Sequence, residues 1–237
     1  VFDGAQENFN VTSSIRIEIN AVNDAPTMVL GDSRGFAWDS PVPNVVEDTD
    51  FIFPASVILT DPDCAPDTTV KLTIYVLLGH LGSHLSLTPG STDRVKFLSS
   101  DGDRDGFIAF HGSISDVSMA LKQLTYHPAP HMNFRNAPSG RDAVTFVVDD
   151  LGSSGSGGQR STQRTLYFAP TPMNDEPILT ITSSAITLHE NAADGAPVGT
   201  LLEVNDVDVH DDGGDNMCVT LAVTTGALVL QDAVAAA

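Results

Sequence analysis

Alternating apolar and polar residues run through most of the chain, and this pattern predicts β-strands. In residues 13–22 the apolar side of the alternation holds Ile15, Ile17 and Ile19, and polar residues lie between them. Clusters of Gly, Pro, Asn and Asp separate the apolar runs at short spacing, which is typical of an all-β sandwich. The other predicted strands are residues 70–78, 94–98, 106–110, 123–128, 143–150, 163–170, 178–188, 199–204 and 218–230.

One segment has a helical pattern instead. In residues 113–124 the apolar side chains recur at the three- and four-residue spacing of one helix face. Ser115 or Asp116 is the predicted N-cap, because such side chains accept a hydrogen bond from the first free amides of a helix. We therefore predict one short helix in an otherwise all-β chain. The residues on its apolar face are Val117, Ala120, Leu121 and Leu124.

An ordered set of acidic motifs occurs twice along the chain. The sequence Asn-Asp-x-Pro begins at Asn23 and again at Asn174, and in both copies a glutamate and then an Asp-x-Asp motif follow. Such a repeat indicates tandem domains. We interpret residues 1–22 as the last strands of one domain, 23–173 as a complete domain and 174–237 as the first part of the next. The matching positions are Glu47 and Glu190, Asp61 and Asp206, and Asp63 and Asp208.

The charge balance limits the kinds of partner. Among the 237 residues, 31 are Asp or Glu and 11 are Lys or Arg, which gives a formal net charge of −20. Such a surface repels phosphate groups, so we expect no nucleic-acid partner. No apolar run reaches the ~20 residues that span a bilayer, so we expect no membrane insertion in this segment. The acids either form a soluble acidic surface or, where they cluster in turns, bind a hard cation through oxygen.

The sequence lacks the common catalytic motifs, and we predict that the chain is not an enzyme. It contains no Gly-x-Ser-x-Gly elbow, no P-loop and no dinucleotide-binding fingerprint. Five of the seven histidines fall between residues 80 and 131, but their spacing does not suit zinc.

The acidic run DGDRDGFIAF at 101–110 has two interpretations. Its first residues match the front of an EF-hand loop. However, Gly112 stands at the twelfth position, where an EF-hand has its bidentate glutamate. This favours an acidic hairpin tip over an ion site.

Three features concern the cellular setting. Cys64 and Cys218 fall in different predicted repeats and are too few for a disulfide framework, so their pairing is left open. The sequon that begins at Asn10 is a glycosylation site only if the protein is secreted. Both ends of the sequence read like the interior of a longer protein, so we expect the chain to be a piece of one.

Four motifs of the second copy resemble the start of a cadherin repeat in order and spacing. They are Asn174-Asp175, Glu190-Asn191, Val198-Gly199-Thr200 and Asp206-x-Asp208. The central copy is similar to the cadherin-like repeats of large bacterial and algal surface proteins, through VNDAP, ED, DPD, SDVSMALKQLTYHP and VVDDLGSSGSGG in that order. The resemblance covers nearly the whole chain and implies tandem Ig-like or cadherin-like β-sandwich domains.

The resemblance also implies Ca²⁺ ions bound at the junctions between domains. Two departures from the family imply fewer ions than at a typical cadherin junction: the first junction Asp is missing, and the central domain lacks an Asp-Arg-Glu motif. The alternative is that these Asn, Asp and Pro residues only form turns. The ligands implied at the first junction are Asn23, Asp24, Asp61, Asp63 and Asp150. Those implied at the second are Asn174, Asp175, Asp206 and Asp208, with Glu47 from the central domain, and Glu190 would serve a third.

Two functional hypotheses follow from the resemblance. In the first, the chain is a calcium-stiffened repeat segment of a large extracellular surface protein that mediates cell adhesion. In the second, it is a structural building block of an extracellular filament, hair or matrix fibre. The expected partners are neighbouring repeats of the same chain and other surface or filament proteins. The resemblance further predicts that Glu47 lies far from Asp61 and close to Asp206 and Asp208.

Overall fold

A computed structural model describes residues 13–31, 36–54, 56–190, 195–209 and 216–229. The chain divides into two compact units, Val1–Thr171 and Pro172–Ala237. This division falls two residues before the boundary predicted at 173. The assignment of 1–22 to a preceding repeat remains a prediction, and the predicted sequon at Asn10 lies outside the described residues.

The described part of the chain is mostly β-structure with one α-helix. The first unit contains helix α1 (Ile114–Ala120) and eleven strands, and the second contains two. The strands are β1 Thr27–Gly31, β2 Pro41–Val42, β3 Phe51–Ile52, β4 Ser56–Thr60, β5 Thr69–Val76, β6 His84–Ser86, β7 Lys96–Ser99, β8 Phe107–Ser113, β9 Thr125–His127, β10 Asp142–Asp149, β11 Ser161–Phe168, β12 Ile178–Ile181 and β13 Leu202–Asn205. Short 3₁₀ turns lie at Gly79–Leu81, Pro138–Gly140 and Gly199–Leu201.

The first unit is a β-sandwich. A six-stranded sheet has the order β2-β11-β10-β5-β8-β7, a three-stranded sheet has the order β3-β9-β6, and β1 pairs with β4. Aromatic side chains join the two larger sheets: the ring of Phe168 on β11 stacks on Tyr126 of β9 at 4.1 Å and meets Phe51 of β3 at 6.0 Å. This confirms the predicted all-β sandwich with one short helix.

The apolar alternation of the central strands forms the core. Alternate residues of β5 and β10 point inwards and are fully buried, because the two strands pair in register and face the same side. Burial of these side chains supplies the main driving force for folding of the first unit. The inward-facing residues include Val70, Leu72, Ile74, Val144, Phe146 and Val148.

Helix α1 confirms the predicted helical face but not the predicted cap. Val117 and Ala120 are fully buried, as are Leu121 and Leu124 beyond the helix end. The N-cap is Ser113, whose hydroxyl accepts a hydrogen bond from the Asp116 amide at 3.1 Å. The prediction of Ser115 or Asp116 was therefore wrong. Strand β8 runs directly into the helix, so the last extended residue of the strand is the one that caps it.

Replacing Ser113 with alanine should lower the free energy of unfolding by about 1 kcal/mol, because the Asp116 amide loses its acceptor. The measurement is urea denaturation of the intact chain. Ser115→Ala is the matched control, since Ser115 is exposed and does not cap the helix. Equal losses in the two variants would contradict the assignment of the cap.

Two of the predicted strands do not form. Residues 13–21 have no strand structure, and Ile15, Ile17 and Ile19 are 79–90% exposed. Residues 216–229 also lack strand structure, and only the first part of 178–188 forms a strand. Alternation produces a strand only where a second strand pairs with it, and the described residues provide none for 13–21 or 216–229. Within the described residues, no helix is long and apolar enough to cross a membrane.

A buried polar group also links the two larger sheets. The carboxylate of Asp142 at the start of β10 accepts hydrogen bonds from the Leu78 amide at 2.9 Å, the Ala143 amide at 2.7 Å and the Tyr126 hydroxyl at 2.9 Å. Asp142 and Tyr126 are both fully buried. Burial, and then the charge of Asp142, raise the pKa of Tyr126 far above its ordinary value. The hydroxyl therefore stays protonated and remains a donor to the carboxylate.

Candidate metal centre

The turn that follows strand β4 carries the first acidic cluster. The Asp24 amide donates to Asp63 Oδ2 at 2.5 Å, and the Asp63 amide donates to Asp61 Oδ1 at 3.0 Å. Asp61 is only 8% exposed, and its Oδ2 atom is buried without a hydrogen-bond partner among the described residues. Burying an unpaired carboxylate oxygen is unfavourable. A cation bound at this atom would offset that cost.

Asn23 and Asp150 form a second part of the same region. Asn23 Nδ2 donates to Asp150 Oδ2 at 2.5 Å, and Asn23 Oδ1 accepts from the Ser154 hydroxyl at 2.7 Å. The thiol of Cys64 donates to the same Ser154 hydroxyl at 3.5 Å. This connection joins the 150–158 loop to the turn that contains Asp61 and Asp63. Hydrogen bonds thus link the five residues predicted for the first set in two neighbouring groups, Asn23 with Asp150 and Asp24 with Asp63 and Asp61.

Asp150 is held as a carboxylate. Burial alone would raise the pKa of this fully buried residue, but the backbone amides of Arg160 and Gly152, the Asn23 side chain and the Arg160 charge together lower its pKa. The two amides donate to Asp150 Oδ1 at 2.8 and 2.7 Å. The negative charge therefore persists at neutral pH.

The second unit repeats the acidic turn of the first. The Asp175 amide donates to Asp208 Oδ2, and the Asp208 amide donates to Asp206 Oδ1 at 2.9 Å. These two bonds match those that link Asp24, Asp63 and Asp61. Asn174 is exposed, and its side-chain amide donates to the Asp175 carbonyl at 2.8 Å. Of the predicted second set, Asn174, Asp175, Asp206 and Asp208 therefore lie together.

The strands that carry the two turns also match. Strands β1 and β4 are antiparallel with Thr27 opposite Thr60, and β12 and β13 are antiparallel with Ile178 opposite Asn205. In each pair, the first residue after the Asn-Asp-x-Pro motif faces the residue just before the Asp-x-Asp motif. The repeat in the sequence is therefore a repeat of strand register and hydrogen bonding.

Glu47 lies at the other end of the first unit. It is fully buried, its carboxylate accepts from Asn133 Nδ2 at 3.0 Å, and its amide donates to the Thr171 carbonyl at 3.1 Å. Thr171 follows strand β11, whereas Arg160, which contacts Asp150, precedes it. Eight extended residues span roughly 26 Å. The predicted separation of Glu47 from the first cluster is confirmed, and its place in the second set stays a prediction.

Asn133 is a buried partner that the sequence did not single out. Its Oδ1 accepts from the Arg135 amide at 2.8 Å, and its Nδ2 donates to Glu47. The only local signal is an asparagine in the turn-rich run HMNFRN at 131–136. That signal identifies a turn but not the carboxylate, which is 86 residues away in the chain.

The structure also describes the residues of three other predictions. Glu190 is exposed, and its role stays a prediction. The 101–105 segment is a tight acidic turn between β7 and β8, in which Asp101 accepts from the Asp103 amide at 3.1 Å. This agrees with the hairpin-tip interpretation. Cys64 and Cys218 are free thiols.

Comparisons with known proteins provide no family for this chain. No protein-family model matches it, and no curated protein sequence matches it. Among solved structures, it is similar to a type I cohesin–dockerin complex from Clostridium thermocellum, with 6% sequence identity and a TM-score of 0.31. The match covers 66% of this chain and 99% of that chain. A likeness of this size carries no argument about function.

Proposed function

We propose that this chain is a calcium-stiffened repeat segment of a large extracellular surface protein that mediates cell adhesion. The observation that carries the proposal is the buried Asp61 Oδ2, which has no hydrogen-bond partner among the described residues. In this turn the Asp63 amide donates to Asp61 Oδ1, and the Asp24 amide donates to Asp63 Oδ2. The hydrogen bonding of this turn recurs at Asp206 and Asp208, which supports a shared role for both copies.

The donor atoms favour calcium over a transition metal. The cluster offers carboxylate and amide oxygens, which are the ligands that calcium prefers, whereas zinc is usually bound by His nitrogen and Cys sulfur. Calcium also accepts irregular geometry with six to eight oxygen ligands, including water. Residues Asn23, Asp24, Asp61, Asp63 and Asp150 would hold the ion in the first unit, and Asn174, Asp175, Asp206 and Asp208 in the second.

Calcium would stiffen each unit at the Asn-Asp-x-Pro segment that precedes its first paired strand. In the first unit the ion would fasten the Asn23-Asp24 segment to the turn after β4 and to the 150–158 loop. Without a cation, the carboxylates in this region repel each other, and the Asn23-Asp24 segment is held more weakly. Extracellular calcium modules work with dissociation constants of about 10⁻⁴ to 10⁻³ M, and an affinity in this range is expected here.

The test is the stability of the chain in calcium and in excess chelator. At a free calcium concentration about thirty times the dissociation constant, the free energy of unfolding should rise by roughly 2 kcal/mol. Magnesium should have a smaller effect, because it requires a tighter octahedral site. Identical unfolding curves in calcium and chelator would contradict the proposal.

The variant Asp61→Asn tests whether Asp61 is a calcium ligand. The variant removes the buried negative charge, so it should be at least as stable as the wild type in chelator and should lose most of the calcium response. Asp67→Asn is the matched control, because Asp67 is an exposed acid of the same loop. A wild-type calcium response in Asp61→Asn would exclude Asp61 as a ligand.

One observation also favours the filament hypothesis. The first unit has its acidic cluster at one end and the buried Glu47 at the other, an arrangement suited to building blocks joined end to end. Beads coated with the chain distinguish the two functions. Calcium-dependent clustering of the beads is expected for an adhesive segment, whereas dispersed beads together with a calcium-stabilised chain would favour a structural role.

A further inference from the structure

A histidine on strand β9 connects two carboxylates from different parts of the first unit. His127 Nδ1 lies 2.5 Å from Asp50 Oδ1, in the segment before β3, and His127 Nε2 lies 3.0 Å from the Ser86 hydroxyl on β6. The same hydroxyl donates to Asp103 Oδ1 at 2.8 Å and accepts from the Arg104 amide at 3.1 Å. His127 is only 8% exposed, so its ring nitrogens depend on these partners.

Counting protons shows which form of His127 this arrangement requires. An ionised Asp50 can only accept, so His127 Nδ1 must carry a proton. Ser86 has one hydroxyl proton, which it gives to Asp103, so His127 Nε2 must also be a donor. In the arrangement in which Ser86 donates to Asp103, both ring nitrogens of His127 are donors, and the ring bridges Asp50 and, through Ser86, Asp103.

The neighbouring histidine is compatible with this arrangement. The rings of His84 and His127 stack with centroids 4.5 Å apart and an angle of 17° between their planes. His84 Nδ1 donates to the Gly82 carbonyl at 2.7 Å, and its Nε2 is buried without a partner among the described residues. A proton on that nitrogen would be buried and unpaired, so the hydrogen-bond geometry places the proton of His84 on Nδ1. The His84 ring therefore offers His127 a stacking surface without a second hydrogen-bond donor facing the network.

We propose that His127 is a proton-operated latch that fastens the acidic 101–105 loop to the three-stranded sheet. The latch is closed when both ring nitrogens carry protons. When Nε2 releases its proton to solvent, it becomes an acceptor, the Ser86 hydroxyl turns towards it, and Asp103 loses its donor. The charged and titratable groups that face His127 are Asp50 before β3, His84 on β6, and Asp103 and Arg104 in the loop.

The same three residues, Asp50, His127 and Ser86, are in the order of a catalytic triad, but their surroundings favour a latch. In the closed latch the Ser86 hydroxyl donates to Asp103 and not to the imidazole, and only the open form directs it at His127 Nε2. The amides on either side of Ser86 are also occupied, since Leu85 donates to the Asp105 carbonyl at 2.9 Å and Leu87 to the Gly102 carbonyl at 2.7 Å. They are therefore not available as oxyanion donors.

The direct test is nuclear magnetic resonance of the intact chain between about pH 5 and about pH 8, the range in which histidines exchange their protons. At the acidic end, the ¹⁵N shifts of His127 should show both nitrogens protonated. At the alkaline end, only Nδ1 should carry a proton. A neutral ring at both ends would overturn the proposal without the need for any variant.

Hydrogen exchange of the Arg104 amide measures the latch itself. Its protection, corrected for intrinsic exchange, should fall about tenfold from the acidic to the alkaline end as the charge-assisted network opens. His127→Gln should abolish this change, whereas His111→Gln, on β8 in the other sheet, should keep it. A pH dependence that survives in His127→Gln would contradict the latch, and so would labelling of Ser86 by a fluorophosphonate probe.

Discussion

Replacing Asp142 with alanine is expected to lower the free energy of unfolding by about 4 kcal/mol, because buried donors that lose their acceptor cost roughly 1–3 kcal/mol each. The carboxylate accepts from the amides of Leu78 and Ala143 and from the Tyr126 hydroxyl, and it is fully buried. The bond to Tyr126 also joins the two larger sheets of the sandwich. Calorimetry or urea denaturation of the intact chain measures the loss.

Two further variants separate the parts of this network. Asp142→Asn keeps one acceptor oxygen and should lose about half as much. Tyr126→Phe removes a single donor and leaves the two amide bonds in place, so it should cost about 1 kcal/mol. The exposed Asp67→Ala variant should stay within about 0.5 kcal/mol of the wild type. A similarly small loss in Asp142→Ala would show that the network contributes little.

Replacing Asp150 with alanine should have the second largest effect, about 3 kcal/mol in the absence of calcium. The variant deprives the Arg160 and Gly152 amides and the Asn23 side chain of their acceptor. The same carboxylate contributes to acid sensitivity. Its pKa is lowered on folding, so its stabilisation is present above the ordinary aspartate value of about 3.9 and is lost as the pH falls through the lower folded value.

Asp149→Ala is the control for this prediction. Asp149 is the preceding residue, is partly exposed, and accepts from the Leu151 amide at 2.8 Å. Its replacement should cost about 1 kcal/mol and leave the acid transition of Asp150 in place. If the two variants lost equal stability and unfolded at the same acidic pH, the buried carboxylate would have no special role.

Local patterns in the sequence were sufficient to predict the main features of the fold. The apolar runs around Leu72 and Phe146 predicted central strands, because burial of alternate residues fixes which face of each strand points into the core. The cap of α1 was placed too late in the sequence, because Ser113, Ser115 and Asp116 are all good capping residues. Only the position at which β8 ends identifies Ser113 as the N-cap of α1.

Contacts between distant segments were the part that sequence patterns could not supply. The acidic turns were predictable because Asp61 and Asp63 are close in the chain and recur as a pair. In contrast, His127 and Asp50 are separated by 77 residues, and Asn133 and Glu47 by 86. The order of strands in the sheets decides which of these side chains meet, and single-sequence periodicity does not determine that order.

The matched ribbons β1–β4 and β12–β13 also have a genetic consequence. The acidic turn of each ribbon is complete within one uninterrupted stretch, from Asp24 to Asp63 in the first unit and from Asp175 to Asp208 in the second. A recombination event that exchanges a whole stretch therefore carries the hydrogen bonds of its acidic turn with it. Strands β2 and β3 of the first stretch still pair with β11 and β9, which lie outside it, so the acidic turn is more easily exchanged than the sheets around it.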